Sequence, residues 1–151
     1  MEEITSFPGS NFLLVEDVLS ALHSLAAFHR QQFNIPVIGI TGSNGKTIVK
    51  EWLYQLLHTD YQIIRSPKSY NSQIGVPLSV WQMNQTRTLA IFEAGISLPN
   101  EMEKLQEIIE PTIGIFTTIG DAHAEGFSTQ QQKIDEKLKL FSNSIIISTL
   151  I

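Results

Sequence analysis

Cysteine is absent from the 151 residues, which excludes disulfides, cysteine-ligated zinc and a thiol nucleophile and leaves the redox compartment open. Charge is sparse at 17% of residues, and 15 Asp and Glu against 10 Lys and Arg give a formal net charge of -5. A surface that holds nucleic acid by bulk electrostatics needs clustered Lys and Arg. No nucleic-acid partner is therefore expected, and any bound polyanion has to be held by a local device. No uninterrupted apolar run approaches the roughly 20 residues that span a bilayer. The opening stretch also lacks a basic start followed by an apolar core and a small-residue cleavage site. A soluble, cytoplasmic protein without a membrane span is the expectation. What is there is globular: hydrophobic residues make up 42% of the chain, enough at this length for one sizeable core but hardly two.

Along the chain, helical and strand-like patterns alternate. Val15, Val18, Leu19, Leu22, Leu25 and Phe28 recur at helical spacing, predicting an amphipathic helix between Val15 and Phe33. Val37 to Thr41 is a short β-rich apolar run entered through Pro36. Lys46 to His58 predicts a helix with Ile48, Trp52, Leu53, Leu56 and Leu57 on one face. Tyr61 to Arg65, Leu89 to Phe92, Thr112 to Thr118 and Ser144 to Leu150 read as further strands. Between them lie a short helix from Val76 to Met83, with Pro77 in its first turn, and a helix from Pro99 to Ile109 capped by Ser97, with Met102, Leu105, Ile108 and Ile109 inward. A last helix opens at Ser128 or Thr129 and runs through Phe141. This order predicts an α/β fold, a three-layer P-loop-type, mostly parallel sheet with helices on both faces. Because the chain stops at an uncovered apolar strand, Ile145 to Ile147, the fold is expected to be truncated at its C-terminal end.

The sharpest chemical signal is Thr41-Gly42-Ser43-Asn44-Gly45-Lys46-Thr47, between a predicted strand and a predicted helix. Glycines let the backbone fold around an anion with successive N–H groups toward phosphate oxygens, and the helix N-terminus adds its positive dipole end. Lys46 would reach the β/γ-phosphates, and the Thr47 hydroxyl would ligate Mg²⁺. The longer P-loop pattern would place glycine at position 40, where this chain has Ile40, so the loop is a compact form. The plain alternative is a glycine turn followed by an exposed lysine. Glu93, in Glu93-Ala94-Gly95, ends a buried strand where an acid can hold a metal against phosphates; otherwise it is a solvated strand-end carboxylate. Asp121-Ala122-His123, with Glu125 nearby, follows the fourth strand, and a lone histidine there can equally be a surface residue. Thr47, Glu93 and His123 all fall on one predicted rim of the sheet. Lys133, Lys137 and Lys139, with Asp135 and Glu136, pattern as an ordinary solvated helix face. Lys68, Ser69, Tyr70, Asn71 and Ser72 form a donor-rich loop of open role.

With these motifs in place, the chain resembles the central ATP-binding domain of the Mur ligases, the enzymes that build the peptide of bacterial peptidoglycan. The compact P-loop matches, and Tyr70-Asn71-Ser72-Gln73-Ile74-Gly75-Val76-Pro77-Leu78 is similar to the family's asparagine loop. Phe92-Glu93-Ala94-Gly95-Ile96-Ser97 is similar to its acidic motif and His123-Ala124-Glu125-Gly126-Phe127 to its histidine motif. These runs look most like the members that add D-Ala-D-Ala to UDP-N-acetylmuramoyl-tripeptide through an acyl phosphate. The resemblance implies ATP and Mg²⁺ as cofactors. Gly42, Ser43, Asn44, Gly45, Lys46 and Thr47 would lie around the nucleotide, Thr47 and Glu93 on a first Mg²⁺, His123 on a second, and Asn71 toward substrate. It also implies a carbamylated lysine supporting the second metal; by spacing from His123 this is Lys137, although Lys139 stands where family members often carry an acid. Lys46, His123 and Lys137 are then the catalytic set. Family members have three domains, so residues 1-33 are expected to be a linker and helix left from a preceding domain and residues 34-151 an incomplete central domain, with N- and C-terminal domains of the same protein as partners. On that reading this chain alone would not complete ligation. Rival readings are another Mur-type or folylpolyglutamate ligase, a P-loop kinase or NTPase, and a catalytically silent nucleotide-binding module.

Overall fold

A computed structural model describes residue 9, residues 11–120 and residues 126–149. In chain order the elements are helix α1 (Val18–Arg30), strand β1 (Val37–Thr41), α2 (Lys46–Leu57), β2 (Ile63–Arg65), α3 (Gly75–Val80), β3 (Leu89–Glu93), α4 (Glu101–Ile109), β4 (Ile113–Phe116), α5 (Gln130–Leu138), a 3₁₀ turn (Lys139–Phe141) and β5 (Ile146–Thr149). The five strands form one sheet in the order β2-β3-β1-β4-β5, and each neighbouring pair is parallel. Being parallel, the strands bring their carboxyl ends to one rim, with β1 central between β3 and β4.

Strand side chains alternate between two cores, as a pleat of period two requires. Val37, Ala90, Phe92, Ile64 and Phe116 pack with Val76, Val80, Met102, Leu105 and Leu140 on one side. Ile38, Ile40, Ile63, Leu89 and Ile91 pack with Val49, Leu53 and Leu57 of α2 on the other. Helices therefore cover both faces, as expected. Helix α1 lies over α3 and α4. It is locked there by the buried Arg30, whose guanidinium donates to the carbonyls of Ile109, Glu110 and Phe33.

Three local expectations are corrected. Helix α1 begins at Val18 rather than Val15, and Val18, Leu25 and Phe28 face outward while Ala26 and Arg30 are buried. On α2, Ile48, Trp52 and Leu56 are exposed; the stripe one residue later, Val49, Leu53 and Leu57, meets the sheet. Ser97 does not cap α4. The helix starts behind Asn100 in a left-handed conformation, and the Glu101 carboxylate accepts from the backbone N–H groups of Ser97 and Leu98 at 2.7 and 2.9 Å. The expected inward set of α4, Met102, Leu105, Ile108 and Ile109, is buried. Thr129 caps α5 through its hydroxyl, which accepts from Gln132 N–H. No helix among the described residues is long and apolar enough to cross a membrane.

Candidate active site

The glycine loop joins β1 to α2 at the centre of the rim. Gly42 has φ 141° and Gly45 φ 82°, regions that favour glycine. A Cβ at Gly42 would sit 1.9 Å from the Thr117 hydroxyl. That hydroxyl shares its one hydrogen between the carbonyls of Asn44, at 2.7 Å, and Thr41, at 3.1 Å. Gly42→Ala therefore has to break this clasp. The expected result is a loss of about 2–4 kcal/mol, read as a lower melting temperature of the chain with nucleotide affinity falling in parallel.

Two of the loop's carbonyls are held by side chains. Gly42 O accepts from Lys46 Nζ at 2.9 Å and from Lys137 Nζ at 3.3 Å, and Asn44 O from Thr117 as above. The Ser43 N–H is itself taken, donating to the Thr118 carbonyl at 2.7 Å. The first turn of α2 adds N–H groups that lack intrahelical acceptors. These free N–H groups and the Lys46 ammonium lie together at the head of α2, an arrangement suited to an anion.

Beside this loop stands Glu93, fully buried at the end of β3. Its Oε2 accepts from the Thr47 hydroxyl at 3.0 Å. Two ligand oxygens in neighbouring positions of an octahedral Mg²⁺ shell lie about 2.9 Å apart, given metal–oxygen distances of about 2.0–2.1 Å. The Thr47–Glu93 pair has that spacing. Glu93 Oε1 is buried and accepts no hydrogen bond. No group of three or more His, Cys, Asp or Glu able to hold a metal is found among the described residues. Hard oxygen donors with few carboxylates suit Mg²⁺, which keeps waters and takes the rest of its shell from substrate phosphates. Asn71 borders the same turn: its carbonyl accepts from Gly95 N–H at 2.7 Å, and its Oδ1 lies 2.9 Å from where a Gly95 Cβ would stand.

From the far side, α5 turns two lysines inward. Lys133 and Lys137 are each 3% exposed. Lys133 Nζ donates to Gly120 O at 2.7 Å, and the Ser43 hydroxyl donates to the same carbonyl. Lys139, by contrast, reaches outward to Glu103 and Glu136, 2.9 Å from each. Burial, followed by the nearby charges of Lys46 and Lys133, pushes the Lys137 amine down to about 8. Burial lowers Lys46 as well, with Glu93 opposing that shift. Periodicity marks no lysine on α5, and no sequence signal sets Lys133, or Lys50 on α2, apart from a solvated lysine. His123, with Asp121 and Glu125, lies outside the described residues.

The depressed Lys137 value has a consequence for stability. Between about pH 8 and 10.5 the unfolded chain binds a proton at this position that the folded chain does not, so stability rises with pH across that window. Lys137→Met removes the cost of burying the charge. In carbon-dioxide-free buffer the variant is expected to be about 1–3 kcal/mol more stable at pH 7, with the gap closing as pH rises toward 10.5, measured by denaturant unfolding.

Comparison with known proteins agrees with this arrangement. The sequence model of the Mur ligase middle domain matches residues 40–151. The chain belongs to the Mur ligase family. It is 39% identical over 139 residues to the UDP-N-acetylmuramoyl-tripeptide--D-alanyl-D-alanine ligase of Borreliella burgdorferi, covering 92% of this chain and 30% of that protein. The enzyme of the same name from Bacillus subtilis is 33% identical over 130 residues, covering 86% and 28%. Among solved structures, the MurF ligase of Thermotoga maritima in complex with ADP superposes with a TM-score of 0.85 at 30% identity, covering 95% of this chain and 34% of that one. MurF of Acinetobacter baumannii gives 0.86 at 26% identity, covering 91% and 31%. The chain thus spans about 30% of the length of these relatives.

Proposed function

We propose that this chain is the ATP- and Mg²⁺-binding part of a longer ligase that adds D-Ala-D-Ala to UDP-N-acetylmuramoyl-tripeptide. The observation that carries the proposal is the compact glycine loop at the head of α2, with the Thr47 hydroxyl 3.0 Å from Glu93. The family membership and the names of the relatives support the reaction. Residues 34–151 are read as the central domain and residues 1–33 as the lead from a preceding one. The substrates and the further N- and C-terminal domains belong to the whole protein, which acts in the cytoplasm.

In this reading Lys46, the glycine loop from Gly42 to Thr47 and the free N–H groups at the head of α2 would hold the phosphates, while Thr47 and Glu93 would hold one Mg²⁺ and His123 a second. The metals supply neutralisation of the charge that gathers when a carboxylate approaches a phosphate. The peptide carboxylate, oriented with help from Asn71, displaces ADP from the γ-phosphorus to give an acyl phosphate. The D-Ala-D-Ala amine attacks that carbonyl, and the tetrahedral intermediate collapses to the amide and inorganic phosphate. Lys137 supports the second metal as its carbamate: the neutral amine bonds to the carbon of CO₂ and loses a proton. With its value at about 8, about a quarter of Lys137 is neutral at pH 7.5, against about a thousandth for an ordinary lysine. The test is phosphate release by the full-length protein that depends jointly on ATP, the UDP-linked tripeptide and D-Ala-D-Ala. Release without the dipeptide points to an NTPase, and activity with a folate and glutamate to the sister ligases.

A further inference from the structure

Among the largest fully buried side chains of the described residues is a lysine, Lys50, one turn beyond Thr47 on α2. It does not face the glycine loop. Its ammonium donates to the carbonyls of Ser66, at 2.8 Å, and of Lys68, and lies 2.9 Å from Glu93 Oε1. Glu51 Oε1 is farther off at 3.4 Å and is also engaged by Arg65. Two of the ammonium's three hydrogens go to these carbonyls, and its contact with Glu93 Oε1 is an ion pair in which Oε1 accepts no hydrogen bond of good geometry. Glu93 is held from behind as well, its N–H donating to the Ser66 hydroxyl at 3.1 Å. The two oxygens of one buried carboxylate are thereby made unequal: Oε2 meets the Thr47 hydroxyl, and Oε1 faces a fixed cation.

We propose that Lys50 is a specificity-determining positioning residue that makes Glu93 a one-oxygen ligand and so selects Mg²⁺ over Ca²⁺. The inference rests on the reading that Thr47 and Glu93 hold a divalent cation. Mg²⁺ takes a tight octahedral shell in which a carboxylate contributes one oxygen, whereas Ca²⁺ gathers six to eight ligands and readily takes both oxygens of a carboxylate. A cation that claimed Oε1 as well would have to approach the Lys50 ammonium, which is pinned by two backbone carbonyls and has nowhere to retreat. The ammonium therefore costs Ca²⁺ a ligand that Mg²⁺ does not need.

The test compares Mg²⁺ with Ca²⁺ in one protein, because both carry the same charge. Any general effect of removing Lys50, on folding, on the charge of Glu93 or on the field at the site, moves both affinities alike and cancels in their ratio. Affinities of the full-length protein for MgADP, CaADP and metal-free ADP are measured by calorimetry in wild type, Lys50→Met and Lys50→Gln. The second variant keeps a donor for the Ser66 and Lys68 carbonyls should the first fail to fold. The expected result is a preference for MgADP in wild type that shifts toward CaADP by about tenfold in the variants. An unchanged ratio in a folded variant overturns the role of Lys50. A wild type that binds MgADP no better than ADP alone overturns instead the metal reading beneath it. A wild-type crystal structure with CaADP gives the answer without a substitution: Glu93 is expected on the ion through Oε2 alone, and coordination through both oxygens would overturn the proposal.

Discussion

Lys46→Ala weakens binding of Mg²⁺ with a non-hydrolysable ATP analogue by at least about a hundredfold, while the melting temperature of the chain stays close to that of the wild type. The loss follows from place. Lys46 is the first residue of α2, so its ammonium and the helix N-terminus act on the same anion. In an acidic chain no bulk field replaces them. Stability is spared because Lys46 is only partly buried, its bonds go to loop carbonyls, and alanine is a strong helix former. Calorimetric titration of both proteins reads the affinity, and thermal denaturation reads the fold. Wild-type affinity in the variant would move the nucleotide off this loop. Failure of the folded wild-type chain to bind would send the titration to the full-length protein, where binding would show that the further domains contribute essential affinity.

Glu93→Ala lowers stability by about 3–5 kcal/mol, the cost of leaving one partner of a buried ion pair uncompensated. Both side chains are fully buried, Lys50 Nζ lying 2.9 Å from Glu93 Oε1, so water cannot take over as counter-charge. Glu93→Gln keeps the shape and leaves the same uncompensated cation, and it is expected to fall in the same range. The double variant Lys50→Met with Glu93→Leu removes both charges and is expected to recover most of the loss, because well-packed apolar residues often replace a buried pair at little cost. Urea unfolding of wild type, Lys50→Met, Glu93→Leu and the double variant forms the cycle. Additive losses would mean that the two residues are not coupled. Glu93→Ala also removes the Mg²⁺-dependent part of nucleotide binding and leaves the metal-free part, since Lys46 and the loop remain.

The parts of the fold that were legible in the sequence are those that local chemistry dictates. The glycine loop announced itself because φ 141° at position 42 and φ 82° at position 45 favour glycine. The inward set of α4 was legible because Met102, Leu105, Ile108 and Ile109 form a single stripe with acids around it. Helix α2 was misread because it carries two adjacent apolar stripes, Ile48-Trp52-Leu56 and Val49-Leu53-Leu57. Periodicity fixes that a stripe exists, not which of two neighbours meets the sheet; the placement of the helix over β1 and β3 decides that.

The same division runs through the site. Sequence alone determined the alternation of strands and helices, the glycine loop and the acid at the end of β3, because each depends on residues within one turn or one strand. Only the tertiary structure separated Lys133 and Lys137 from Lys139 on α5, by burying the first two against the loop while the third pairs with Glu103 and Glu136. Only it brought Thr47 to Glu93 across 46 positions of chain and set Lys50 behind that carboxylate. A charge acquires its role from what surrounds it, and for these residues the surroundings come from strands and loops far away in sequence, assembled by the parallel sheet.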